Sequence, residues 1–143
     1  MAGTLTAANS VVAMTVEALF PAAQIWQGYS ADDAYAFDAV ENGEYSMGID
    51  GKLSAGFVYN EVPFTGTFNA DSPTLALFER IYQYEQENRT KLQINITVTQ
   101  VATGKRYDLK AGFMRSFKAA DAKKILQPGV AAFVFARLQP SPL

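Results

Sequence analysis

With 143 residues, 49% of them hydrophobic and 18% charged, the chain has the size and make-up of one folded domain with a real core. It contains neither Cys nor His, which excludes a disulfide framework, Cys/His zinc or haem sites and any histidine-activated nucleophile, and no apolar run approaches the ~20 residues of a membrane span. The net charge of −2 conceals a division: residues 1–72 hold nine acids against Lys52 alone, whereas residues 73–143 hold eleven bases against five acids.

Such an asymmetry has three readings. The basic half can contact nucleic acid or a membrane surface. Alternatively, acidic and basic faces of successive copies can meet in a heterologous contact that builds rings or filaments. In the third, both signs simply intermix on the folded surface. The opening Met1-Ala2-Gly3-Thr4 has no charged flank and no apolar stretch of a signal peptide, so the chain is expected to stay in the cytosol where it is made.

In chain order, Val11–Ala18 is rich in β-branched residues and reads as a strand that Phe20-Pro21 stops. Gln24–Tyr29 and Ala34–Val40 follow as strands, the second placing Tyr35 and Phe37 on one face. Residues 47–61 resist simple placement. Asp50-Gly51 is a tight-turn dipeptide, and Gly48, Gly51 and Gly56 are spaced through Met47, Ile49, Leu53, Phe57, Val58 and Tyr59. An extended glycine-rich loop with this much apolar surface needs a cover, from its own subunit or from a neighbouring copy.

Val62–Asn69 alternates Val62, Phe64 and Phe68 with Thr65 and Thr67 and reads as a strand. Ser72-Pro73 is an N-cap followed by proline at the first helical position, and Leu75, Phe78, Ile81 and Tyr82 then recur at helical spacing to about Glu87 or Asn88. The clearest strand is Lys91–Gln100, where Leu92, Ile94, Ile96 and Val98 alternate with Gln93, Asn95, Thr97 and Thr99. A hairpin-sized turn, Ala102-Thr103-Gly104-Lys105, leads to Arg106–Phe113, with Tyr107, Leu109, Ala111 and Phe113 on the apolar phase. Lys118–Leu126 reads as a loop with one turn at most, cut off by Gln127-Pro128-Gly129. Ala131–Leu138 is the closing strand, and the Pro140-Ser141-Pro142 tail is not expected to extend a ladder. The sum is an α+β, mainly β, fold over residues 1–143: an antiparallel sandwich or barrel of about seven strands with one flanking helix.

The residues give little sign of chemistry. Gly104-Lys105 lacks the upstream glycine and following Ser/Thr of a phosphate loop. Asp32-Asp33 could bind a cation or serve acid/base chemistry, but neighbours on an extended segment point to opposite sides, and a solvated turn is the simpler reading. Asp50 has no ligand partners at alternate positions. Lys118, Lys123 and Lys124 could touch phosphate, although a solvated face or a subunit contact fits them better. Most aromatics fall on buried phases and read as core. No catalytic residue, cofactor or metal is expected.

The order of several segments carries a resemblance. Leu19-Phe20-Pro21, Gln24-Ile25, Gly28-Tyr29 and Ala31-Asp32-Asp33-Ala34, followed by Met47–Gly56 and Ala70-Asp71-Ser72-Pro73, resemble the tail tube proteins of contractile-tailed bacteriophages (myoviruses) over about residues 11–138. Each motif is a structural signature, and their order carries the likeness. The resemblance implies a non-enzymatic virion protein, made in the host cytoplasm. It implies hexameric rings stacked into a tube inside a contractile sheath, with baseplate and tail terminator proteins at the ends. DNA would pass through the lumen without specific binding, and no membrane would be involved. Type VI secretion tubes share that fold, so a secretion-tube subunit is an alternative, and a soluble small-ligand-binding β-barrel is an alternative from another class.

If six subunits each gave four inner strands, roughly 24 strands at ~4.8 Å and ~40° tilt would make a wall about 48 Å across and a bore near 38 Å, enough for duplex DNA. Such a conduit must not grip a polyanion through many Lys/Arg contacts. The lumen-facing candidates are therefore the uncharged Gln93, Asn95, Thr97 and Thr99 and the acidic Asp38, Glu41 and Glu44. The candidates for contact between subunits or rings are Met47, Ile49, Asp50, Lys52, Leu53, Phe57 and Tyr59.

Overall fold

The computed structural model describes residues 10–27, 35–101, 103–119 and 128–142. The expectations placed on Gly28-Tyr29, Asp32-Asp33, Ala102 and Lys123-Lys124 lie outside the described residues. Among the described residues, ten strands and one helix follow in the order β1 (Ser10–Val16), β2 (Phe20–Ile25), β3 (Tyr35–Phe37), β4 (Gly43–Met47), β5 (Leu53–Phe57), β6 (Val62–Phe68), α1 (Pro73–Asn88), β7 (Ile94–Gln100), β8 (Lys105–Lys118), β9 (Gly129–Phe135) and β10 (Arg137–Pro142). Every pairing is antiparallel. The mainly β architecture with one helix, read from periodicity, is the observed one.

Eight strands form one continuous sheet, β2-β1-β7-β8-β9-β6-β3, with β10 branching off β8. Its two halves face each other because β8 belongs to both. Its first half pairs with β7 and β10, and its second half pairs with β9. The change of direction falls at Ala111, whose φ of 56° lies in the left-handed region, and at Gly112, where a Cβ would come within 2.1 Å of the Phe135 ring. Only glycine fits beneath that ring.

The core lies between the halves. Val12, Met14, Val16, Ile94, Ile96, Val98 and Leu109 fill one inner face; Phe64, Phe68, Ala131, Phe133 and Phe135 fill the other. Trp26 stands among Phe64, Phe68, Phe78 and Phe133, with ring centroids 5.2–5.8 Å away. Gly66 makes room for it, since a Cβ there would stand 2.8 Å from the indole.

Helix α1 closes one end of the sandwich with Leu75, Phe78 and Ile81. Ser72 caps it as the sequence predicts: its Oγ accepts the Thr74 N–H at 3.2 Å and donates to the Gln27 carbonyl, while Thr74 Oγ1 accepts the Gln27 N–H at 2.8 Å. The cap thus also ties the helix to the segment after β2. At the other end Arg89 takes the left-handed C-cap conformation, φ 50°.

Five expectations are corrected. Phe20-Pro21 does not stop a strand but opens β2, which ends at Ile25; proline is tolerated there because β2 is an edge strand. The β7 strand begins at Ile94 rather than Lys91, because the Lys91 and Leu92 segment is drawn to α1 by Glu85, whose carboxylate accepts from Lys91 Nζ at 3.0 Å and the Leu92 N–H at 2.9 Å. The strand begun at Arg106 runs on to Lys118, and Phe113 is exposed rather than buried, because an extra residue at Ala111 reverses the alternation. Ala131–Leu138 is two strands separated at Ala136. Finally, the Pro140-Ser141-Pro142 tail does join a ladder, as β10, with Pro140 opposite Tyr107 and Pro142 opposite Lys105.

Candidate functional site: a projecting arm and a basic corner

The glycine-rich segment is a hairpin that stands apart from the eight-stranded sheet. β4 and β5 pair only with each other, from Gly43 opposite Phe57 to Met47 opposite Leu53. Its tip is a built turn. The Gly48 N–H donates to the Lys52 carbonyl at 2.8 Å, the Gly51 N–H to the Gly48 carbonyl at 3.0 Å, and the Lys52 N–H to Asp50 Oδ1 at 3.2 Å. Gly51 at φ 84° adopts a conformation that side chains resist, which explains the Asp50-Gly51 pair. Its base is fastened by the Val58 N–H to the Asn42 carbonyl at 2.9 Å and by Asn60 Nδ2 to the Glu41 carbonyl.

The arm's apolar side chains are not covered by the body. Tyr45, Met47, Leu53 and Phe57 are exposed together on one face of the ribbon, with Glu44, Ser46 and Ser54 on the other, while Tyr59 is 89% exposed at its base and Ile49 at its tip is fully exposed. Monomeric soluble proteins seldom concentrate exposed large apolar groups on one thin element. All seven residues named for subunit contact lie on this arm or its base, and the strand Gly43–Met47 was the part of it that sequence reading missed. The missed signal was Gly43 itself, which leaves room for the Tyr45 ring that packs over it at 2.8–3.0 Å from a Cβ position.

The lumen candidates fall into two groups that the fold keeps apart. Asp38 and Glu41 are exposed on the link from β3 to β4, and Glu44 is exposed on β4. The other group lies on or just before β7. Gln93 is exposed ahead of the strand; Asn95 Oδ1 accepts the Ala111 N–H at 3.0 Å; Thr97 Oγ1 donates to Asp108 Oδ1 at 3.1 Å; Thr99 is half-buried. Two of these polar groups therefore hold β8 in place.

The outer face shared by β7, β8 and β10 carries three bases of the second half of the chain, Arg106, Lys110 and Arg137. Register sets Thr97, Asp108 and Gln139 in one row, Thr99, Arg106 and Ser141 in the next, and Lys110 beside Arg137. Arg106 is paired with Asp108 at 3.4 Å, whereas Lys110 and Arg137 form no ion pair among the described residues. Two adjacent cations on neighbouring strands repel each other and favour an incoming anion. The arm, with Glu44, Asp50 and Lys52, and this basic corner occupy different surfaces.

Between the arm's base and the turn from β9 to β10 lies an open cleft of about 540 Å³, lined by Val40, Phe57, Tyr59, Val62, Leu138 and Arg137 among others. The interior of the sandwich offers a ligand less, since Trp26 and the phenylalanine rings occupy it. No group of three or more carboxylates that could hold a metal occurs among the described residues. No described helix is long and apolar enough to cross a membrane.

The chain is similar in fold to a chain from the extended sheath–tube complex of the PVC extracellular contractile injection system, at 14% identity over 94% of this chain and 89% of that one, TM-score 0.58. It is similar also to one from the six-fold symmetrised baseplate of the anti-feeding prophage, at 10% identity over 99% and 98%, TM-score 0.63. A chain from that particle's tube-terminating cap matches at 11% identity over 100% and 94%, TM-score 0.55. No curated protein matches in sequence. The family is set by residues 3–137, which match the profile described as tail fiber protein gp32: the chain belongs to this family. It is a structural component of a phage-tail-type assembly with a tail-tube-like fold.

Proposed function

We propose that the chain is the repeating subunit of the tail tube, polymerising into stacked rings that form the conduit inside a contractile sheath, with baseplate and terminator proteins at its ends. The observation that carries this reading is the arm: a hairpin with one exposed apolar face and, among the described residues, neither strand paired to the body. One copy leaves that surface uncovered, and identical neighbours at high local concentration are the available cover. The family description names a tail fibre, whereas the fold is shared with chains of tube, baseplate and cap assemblies. A phage tail family favours a virion over a secretion particle.

For the bore we propose Asp38, Glu41 and Glu44. No base occurs between Phe37 and Lys52, so this stretch repels a passing polyanion. Weighing against the β7 row is its shared face with Arg106, Lys110 and Arg137.

Negative-stain microscopy of the purified protein over a rising concentration series tests the proposal. Rings or tubes are expected from the full chain, and folded monomers from a variant lacking residues 49–55, whose removal takes no strand from the eight-stranded sheet. Tubes from the deletion variant would reject the role of the arm, and a full chain that stays monomeric at millimolar concentration would reject the subunit reading.

A further inference from the structure

We propose that the arm's tip lands at a defined place on the next copy: Ile49 enters the cleft at the base of that copy's arm, and Asp50 meets its Lys110–Arg137 pair. This rests on the self-assembling reading above and names the receiving surface. The tip offers one fully exposed apolar side chain followed by a carboxylate. The cleft offers the complement, apolar walls of Val40, Tyr59, Val62 and Leu138 with Arg137 at the rim. Lys110 stands beside Arg137 across the β8–β10 ladder, and neither cation has a carboxylate partner among the described residues.

The occupant is a second copy because a subunit's own tip cannot reach its own cleft. Gly43 and Met47 are four residues apart along β4, about 14 Å at ~3.4 Å per residue, and the turn that carries Ile49 and Asp50 lies beyond that. Tip and cleft are different surfaces, so the contact is heterologous; repeated by near-translation it stacks copies without closing, each displaced by about the length of the arm. Apolar burial of Ile49 supplies the drive, and the charges fix which copy and which register are accepted.

A charge exchange tests this. Asp50→Lys and Arg137→Glu are each expected to raise the protein concentration needed for polymerisation at least tenfold, and the double variant to return it to within about threefold of the original. Retained melting temperatures verify folding, and Asp50, on an exposed turn, gives a variant that does not disturb the core. Because the chain has no cysteine, Ile49→Cys mixed with Tyr59→Cys is also expected to form an intermolecular disulfide between the two variants. If Arg137→Glu polymerises like the original chain while Ile49→Ser does not, the arm assembles the protein but lands elsewhere, and the proposal is overturned with the subunit reading intact. A double variant no better than the single ones overturns it equally. An original chain that never polymerises removes the subunit reading itself.

Discussion

The backbone N–H of Ala111 donates to Oδ1 of Asn95 across 3.0 Å, which places a side-chain acceptor opposite the residue that reverses the phase of β8. Along β7 one residue separates Ile94 from Ile96, while along β8 two residues separate their partners Gly112 and Leu109. The extra residue is a bulge, and Asn95 satisfies the amide that the interrupted ladder leaves over. Asn95→Ala is therefore expected to lower stability by about 1–2 kcal/mol in urea unfolding. Ala111→Gly, at φ 56°, is expected to raise it by up to about 1 kcal/mol, because glycine adopts this conformation without a Cβ clash.

Gly112 sits under the Phe135 ring with no space for a methyl group. Gly112→Ala is expected to cost about 1–3 kcal/mol through displacement of that ring, within the range for overpacked cores. Combination with Phe135→Leu, which frees volume at the same point, should recover part of the loss. Chemical denaturation of the two variants and the pair measures the coupling.

Ser72 joins two elements at once, accepting from the helix and donating to the chain after β2. Ser72→Ala is expected to destabilise by about 1–2 kcal/mol, and Ser72→Asp by less, since aspartate restores the acceptor but not the donor. Thermal melts followed by circular dichroism report both.

Polymerisation guided by opposite charges should weaken with salt. Between ~0.05 and 0.5 M the screening length shrinks severalfold, through the ~10 Å found at 0.1 M, so the concentration needed for assembly is expected to rise across that range. Light scattering at fixed protein concentration follows it. An onset that ignores salt would mean that apolar burial on the arm dominates.

Much of this fold could be read from periodicity because single-faced burial imposes it: β6, β7 and the helix stand within a few residues of where Val62–Asn69, Lys91–Gln100 and Ser72-Pro73 indicated them. The readings failed where one residue changes the phase. Nothing in Leu109-Lys110-Ala111-Gly112-Phe113 announces that Ala111 takes a positive φ, so Phe113 looked like core and is exposed. The arm was visible as excess apolar residues around Asp50-Gly51, yet its first strand was not, because Tyr45 and Met47 alternate with Glu44 and Ser46 over too short a run to stand out. Side-chain tasks such as that of Asn95 depend on register between strands, which a single strand's pattern does not contain.

Proline at positions 140 and 142 gives the sheet a polarity at its border. The Val12 carbonyl accepts from Trp26, so alternate residues carry the ladder outward from β1 to β10, and Arg137, Gln139 and Ser141 face β8 while both prolines face away. At positions 140 and 142 that rim presents carbonyl oxygens without the amide protons a visiting strand would need in return. Copies packed beside it must therefore meet through side chains rather than by merging backbones, a boundary that guards against sheet fusion in a crowded array of identical molecules.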